Sequence, residues 1–279
     1  MNTLLQGNCF DLMKSIPDGS VDLVLTDPPY NNTDCEWDAV KCDFPRLFNE
    51  LLRVLKPNGA LLMFCQMPLA AELVMMQRKI FRYQWVWEKS RACGFANANK
   101  MPMRAHEIIL TFYRKLPTYN RVPLENQAGK AYSITRTKHY ESEVYRCYKN
   151  GKTKTEHTPY HTENDGNRAP RDVIYFDSEF YTKSRDEVTH PTRKPQALCE
   201  YLIKQYSQPG ELVLDPFCGS GTTAAAALAT GRRYWTCELE DKYFDLASKR
   251  LAQLEADMAN PLFSPDSNPE LKEQLTFDL

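Results

Sequence analysis

Apolar residues fall into two rhythms along this chain. Short stretches rich in apolar residues at 3–6, 21–25, 60–65, 83–87, 106–113, 211–214 and 234–237 read as strands. Between them, apolar positions recur every three or four residues. Phe10, Met13 and Ile16 form one such set, and Phe44, Leu47, Leu51, Leu52, Val54 and Leu55 a second. The same spacing predicts helices over 68–80, 195–206, 224–230 and 241–258. Turn residues mark the boundaries. Lys56-Pro57-Asn58-Gly59 stops the second helix with a base, a proline and a glycine, Pro195 opens another, and Asp241 caps the last. Lys89 to Pro102 has neither rhythm and reads as a long loop. Strand and helix alternate on both sides of a polar centre, which predicts an α/β sandwich around a mostly parallel sheet.

From Arg114 to Arg171 the long apolar runs stop. Between 114 and 172, twelve Lys or Arg stand against seven Asp or Glu, with Tyr119, Tyr132, Tyr140, Tyr145, Tyr148 and Tyr160 interleaved. Such a surface suits nucleic acid, with cations for phosphates and rings for bases or sugars. A solvated loop region with tyrosines over a small core has the same composition. Asn260 to Leu279 is polar and acidic with three prolines, and reads as a tail. The expected organisation is an α/β domain in two halves, 1–114 and 190–258, an insert at 115–189, and a tail at 259–279.

Composition narrows the class. Hydrophobic content of 42% and charged content of 25% are ordinary for a globular protein. No apolar run approaches the ~18–20 residues of a membrane span, and the N-terminus lacks the pattern of a signal peptide, so a cytoplasmic protein with no membrane partner is expected. Nine cysteines include no Cys-x-x-Cys pair, and the five histidines show no metal spacing. Reduced thiols and no bound metal follow. The net charge of −1 makes any nucleic-acid surface local.

Two stretches carry chemistry. The run to Leu25 ends in Thr26-Asp27-Pro28-Pro29-Tyr30. Prolines force the chain to leave the sheet in a fixed, extended shape, which leaves Asp27 and Tyr30 at the carboxyl end of a strand, where open α/β sheets bind ligands. One acceptor and one flat ring on rigid backbone can hold a planar heterocycle with an amino group. Alone, the tetrapeptide is equally a sharp strand exit with a surface tyrosine. The second stretch is Asp215-Pro216-Phe217-Cys218-Gly219-Ser220-Gly221-Thr222-Thr223, between a strand and a small-residue helix. Glycines there let backbone approach a ligand, and Glu238 at the next strand end is placed to accept from ribose hydroxyls. The pattern fits a nicotinamide dinucleotide or S-adenosylmethionine, and so leaves a nicotinamide-dependent oxidoreductase open.

Together the two stretches resemble the amino-group DNA methyltransferases that use S-adenosylmethionine. The order of target-base motif, basic insert and cofactor motif resembles the beta class of that family. Leu55 to Gly59, Trp87-Glu88-Lys89, His106-Glu107 and His190-Pro191-Thr192-Arg193-Lys194-Pro195 resemble its flanking segments. The resemblance spans about Gly7 to Leu251. It implies a three-layer Rossmann-like methyltransferase fold with circularly permuted motif order and an inserted target-recognition region. It implies a DNA methyltransferase acting on adenine N6, with cytosine N4 as the alternative. Family members that methylate cytosine more often carry Ser where Asp27 stands, which favours adenine.

The resemblance also implies roles. Asp27, with a carbonyl held by Pro28 and Pro29, would polarise the amine, and Tyr30 would stack on a flipped base. Phe217, Gly219, Gly221 and Glu238 would hold the cofactor, with Asp215, Thr192 and Lys194 toward its methionine end. The family often has an acid at position 8, and Asn8 would meet the adenine through its side-chain carbonyl. Arg136, Lys138, Lys152 and Lys154 are candidate phosphate contacts on double-stranded DNA. A prokaryotic or phage-infected cell, a homodimer and a companion restriction endonuclease fit the same resemblance. A non-catalytic DNA-binding subunit is a further reading, and the intact Asp27, Tyr30, Gly219 and Glu238 stand against it.

Overall fold

Val21–Thr26 is wholly buried, its Asp22 and Thr26 included, and it sits at the centre of the sheet. The structure is a computed structural model that describes residues 2–30, 41–122, 170–178 and 193–259. Among these, eight strands form one sheet: β1 (Thr3–Gln6), β2 (Val21–Thr26), β3 (Leu55–Cys65), β4 (Phe81–Cys93), β5 (Arg104–Phe112), β6 (Val173–Phe176), β7 (Leu212–Asp215) and β8 (Arg233–Glu238). Their order is β1-β8-β7-β2-β3-β5-β4-β6, and only β5 runs against its neighbours. The helices are α1 (Cys9–Leu12), α2 (Phe44–Val54), α3 (Leu69–Met76), α4 (Gln196–Tyr206), α5 (Thr222–Ala229) and α6 (Asp241–Ala259).

Helices α1, α2 and α3 bury Met13, Phe48, Leu51 and Leu73 with Met63, Cys65 and Leu110 on one face of the sheet. Helices α4, α5 and α6 cover the other, making three layers. Two compact units divide the chain, one from Met1 to Val122 with Arg171 to Leu279, the other Pro123–Pro170. Every element named above belongs to the first.

From β7 the chain proceeds through α5 to β8 on one side, and from β2 through α2 to β3 on the other. The sheet order therefore reverses between β7 and β2, the place where open α/β sheets leave a crevice at their strand ends. Asp215 ends β7, and Asp27 directly follows β2.

Three local expectations change. Lys56 to Gly59 is no free turn, because β3 begins at Leu55 directly after α2. The register jumps there, from Val21↔Leu55 to Leu23↔Ala60. Gly59 fits because any Cβ would lie 2.6 Å from Leu55 Cδ1 and 2.8 Å from the Asp22 carbonyl oxygen. The expected loop from Lys89 is instead the outer part of a β4–β5 hairpin, with Cys93 opposite Arg104 and a 3₁₀ turn at Phe95–Asn97. That end of the hairpin is largely exposed, so no apolar alternation marks it in the sequence. Finally, Val173–Phe176, within the stretch read as an insert, pairs in parallel with β4 and buries Ile174 and Phe176. The tail from residue 260 lies outside the described residues. No helix among the described residues is long and apolar enough to cross a membrane.

Candidate active site

A cavity of about 850 Å³ opens at the β7–β2 reversal, lined from both sides by residues of the first unit. Its β7 side is built around a glycine turn. Gly219 (φ +53°) and Gly221 (φ +75°) turn the backbone into the left-handed region between β7 and α5. The Glu238 carboxylate at the end of β8 accepts from the N–H groups of Gly219 (2.7 Å), Leu239 (2.9 Å) and Glu240 (3.0 Å). A carboxylate has about four acceptor positions, so three donors leave capacity for one more on this cavity-lining residue. Burial pushes the Glu238 carboxyl above its ordinary range. Arg250 of α6 donates to the Ser220 carbonyl (3.1 Å) and to Thr222 Oγ1 (3.2 Å), which ties the glycine turn to the helix layer.

The β2 side is built from side chains. Asp27 is half-buried, and its Oδ1 accepts from the Tyr30 hydroxyl at 2.8 Å. Its Oδ2 accepts from Lys194 Nζ at 2.5 Å. Lys194 is buried, and its Nζ also lies 3.4 Å from Glu107 Oε2 on β5 and 5.3 Å from the Phe64 ring centroid on β3. Lys89 of β4 closes on the other Glu107 oxygen. Strand pairing explains the grouping. Trp87 lies opposite Glu107 and Phe64 opposite Ile109, so Phe64, Trp87, Lys89 and Glu107 share the face that α4 covers. Lys194 stands two residues before α4, and the packing of that helix delivers it between the two carboxylates.

The two sides meet at Asp215, whose Oδ1 accepts from Thr26 Oγ1 (2.9 Å) and from the Phe217 N–H (3.1 Å). Burial pushes its carboxyl up to about 7.

With this geometry in place, comparison with known proteins identifies the chain. The family described as DNA methylase (N6/N4) matches residues 21–249. The chain belongs to the N6/N4 DNA methylase family. The type II methyltransferase M1.MboII of Moraxella bovis is 31% identical over 273 residues, covering 91% of this chain and 98% of its own. The DNA adenine methyltransferase YhdJ of Escherichia coli K12 is 30% identical over 265 residues, covering 89% and 82%. Two solved structures share the fold. The M1.HpyAVI–SAM complex has a TM-score of 0.60 at 21% identity, covering 90% of this chain and 99% of that one. The cytosine-N4-specific PvuII DNA methyltransferase has a TM-score of 0.63 at 16% identity, covering 92% of each.

In this methylase, Asp27, Pro28, Pro29 and Tyr30 line the same cavity as Asn8, Asp215, Phe217, Gly219 and Glu238. Asn8 is at the rim, but its Oδ1 caps α1 by accepting from the Phe10 N–H at 2.9 Å. Gly221 does not line the cavity. It faces α6, where an added Cβ would come 3.3 Å from the Ala247 Cβ, so its place is helix packing. Lys194, expected at the cofactor's methionine end, instead grips Asp27. Thr192, Arg136, Lys138, Lys152 and Lys154 lie outside the described residues.

Sequence reasoning overlooked Glu107, Lys89 and Arg250. For Glu107 a signal was present. It shares strand parity with Ile109, and an acid at an inward position of a buried strand requires a partner. Cys218 is buried, and Trp85, Trp87 and Trp235 are core residues as their alternation predicts, with Trp87 also reaching the cavity wall. No cluster of metal-ligating residues occurs among the described residues.

Proposed function

We propose that this methylase transfers a methyl group from S-adenosylmethionine to the exocyclic N6 amine of adenine in double-stranded DNA. The observation that carries the reading is Asp27, an acceptor on proline-stiffened backbone, opening into one cavity with the glycine turn and Glu238. The cofactor fits the β7 side. The open acceptor position of Glu238 suits a ribose hydroxyl, and the left-handed Gly219 lets main chain approach closely. When bound, S-adenosylmethionine supplies a methyl group on a sulfonium, whose S–C bond breaks as the new N–C bond forms, with the electron pair staying on sulfur.

The protein's own task is the acceptor. The N6 lone pair is delocalised into the adenine ring and is a poor nucleophile. Hydrogen bonds from the amine to Asp27 and to the carbonyl near Pro28 localise that lone pair, and the two prolines keep both acceptors still. Asp27 receives the proton that the amine sheds as the methyl arrives, then passes it to solvent. Tyr30, tethered to Asp27 through its hydroxyl, offers its ring to the base. Stacking of ~1–3 kcal/mol offsets much of the few kcal/mol needed to flip a base from the duplex. The hairpin beside the cavity supports a DNA substrate, because Arg91 to Arg104 carries three cations and no acid. Target recognition is assigned to 115–189, whose basic centre lies outside the described residues.

Asp27 and the adenine methyltransferase YhdJ, at 30% identity, support adenine over cytosine. The deciding experiment incubates the protein with duplex DNA and S-adenosylmethionine and then quantifies modified nucleosides by mass spectrometry. N6-methyladenine is expected. N4-methylcytosine without N6-methyladenine would overturn the adenine assignment, and neither product would overturn the reaction.

A further inference from the structure

The buried charges beside Asp27 exceed what holding an amine requires. Asp27 and Glu107 face Lys194 and Lys89 in one chain of contacts, two anions against two cations, with both Lys194 and Glu107 under a tenth exposed. We infer that Lys194 is a positioning residue for the transfer, clamping the Asp27 carboxylate in its charged, accepting form, and that Glu107, held by Lys89, fixes Lys194 in turn. The inference rests on the amine-methylation reading above and adds a device that reading does not contain.

Three observations support it. First, direction: Lys194 Nζ is engaged by Asp27 Oδ2, Glu107 Oε2 and the Phe64 ring, all on the acceptor side of the cavity. Second, the balance of charge: without Lys194, two neighbouring carboxylates, Glu107 buried and Asp27 half-buried, would share one cation, which favours proton uptake by one of them. Third, which one: burial pushes Asp27 up, Lys194 opposes it, and the result lies above the ordinary carboxylate range. Burial also pushes Glu107 up, but Lys194 and Lys89 outweigh it and hold that carboxyl below its range. The proton would therefore settle on Asp27. A protonated Asp27 has lost the charge that draws the amine's protons and the capacity to receive one. The groups that act on Asp27 from the surrounding elements are Tyr30, Cys65 on β3, Glu107 on β5, Asp215 on β7 and Lys194, while Lys89 on β4 is linked to it through Glu107. Lys194 is the cation in direct contact.

The test uses the full chain with duplex DNA, comparing wild type with Lys194→Met, Lys194→Arg and Glu107→Gln. Single-turnover methylation is followed from pH 5 to pH 9, and S-adenosylmethionine affinity is measured by calorimetry. Lys194→Met should slow transfer about 100-fold at pH 7. It should also move the acid limb of the rate profile up by about one pH unit or more, with cofactor Kd within about threefold of wild type. Lys194→Arg should keep the limb near its wild-type position, and Glu107→Gln, which removes the like charge that raises Asp27 and leaves Lys194 to Asp27 alone, should move the limb down. An unmoved acid limb combined with a tenfold or larger loss of cofactor affinity in Lys194→Met would return Lys194 to the cofactor and overturn the inference. A wild-type rate profile in that variant would overturn it too. Should Lys194→Met fail to fold, the limb in Glu107→Gln decides, and no shift there rejects the clamp. A wild-type protein without methylation activity would instead defeat the underlying functional reading.

Discussion

The two sides of the cavity solve their binding problems with different materials. The β7 side uses backbone: a glycine turn, three N–H groups on one carboxylate, and an arginine that grips a main-chain carbonyl from α6. The β2 side uses side chains drawn from β3, β4, β5 and the approach to α4, arranged as alternating charges around Asp27. A cofactor of fixed shape can be held by a fixed main-chain mould. An amine that changes charge during reaction needs a neighbourhood whose field is tuned, and only ionisable side chains provide that. Damage to the first side should therefore appear in cofactor affinity or stability, and damage to the second in the rate.

The sharpest test of that division is Asp27→Ala, expected to reduce single-turnover methylation about 10³-fold while calorimetric cofactor affinity stays near wild type. Parallel losses of both would erase the distinction. Next in size is Glu238→Ala. Losing one hydrogen bond to a charged group corresponds to about 1.5–3 kcal/mol, so cofactor affinity should weaken about 10- to 100-fold, with the rate at saturating cofactor largely kept.

Legibility in the sequence follows the same line. On the β7 side, Asp215, Phe217, Gly219 and Glu238 sit at or just beyond strand ends, so their place on the cavity wall was readable from strand ends and glycines. Asp27 to Tyr30 was readable for the same reason. The clamp is not contiguous. Lys89, Glu107 and Lys194 come together only because β4 pairs with β5 and α4 lies across them. Lys194 next to Pro195 looks, in sequence, like a lysine at a helix start. Gly221 packs against α6, and the glycine pattern shows that a Cβ is unwelcome without showing whether ligand or helix excludes it. Most strands and helices were legible from rhythm alone, and the outer hairpin was not, since a strand exposed on both faces shows no alternation.

Two smaller effects refine the picture. Gly221→Ala forces a side chain into the left-handed region against Ala247 and should cost about 1–2 kcal/mol of stability in thermal melts. The rate per folded molecule should stay near wild type, and a selective loss of cofactor affinity would put Gly221 back among the ligands. Asp215→Asn acts on pH dependence. The Asp215 carboxyl is raised from 3.8 to about 7 in the fold, so its stabilising contribution is complete below pH 3.8 and is lost as pH rises to about 7. The asparagine variant should therefore gain on wild type across that window, by a few °C in Tm near pH 8. A gap that does not change with pH would remove the buried-acid account.

Strand pairing of β2 with β7 has a consequence for the trajectory of the methyl group. Leu23 lies opposite Val213 and Val24 opposite Leu214, and just beyond them the two strands end at Asp27, the proposed acceptor site, and at the glycine turn, the proposed cofactor site. In the proposed reaction, the separation of the two binding sites is thus set by ladder register, before any side chain contributes. A slip of one residue would displace one partner by ~3.3 Å and turn its side chains to the opposite face. In-line transfer depends on alignment finer than that step, so the line of attack is a property of the hydrogen-bonded ladder that joins segments almost two hundred residues apart.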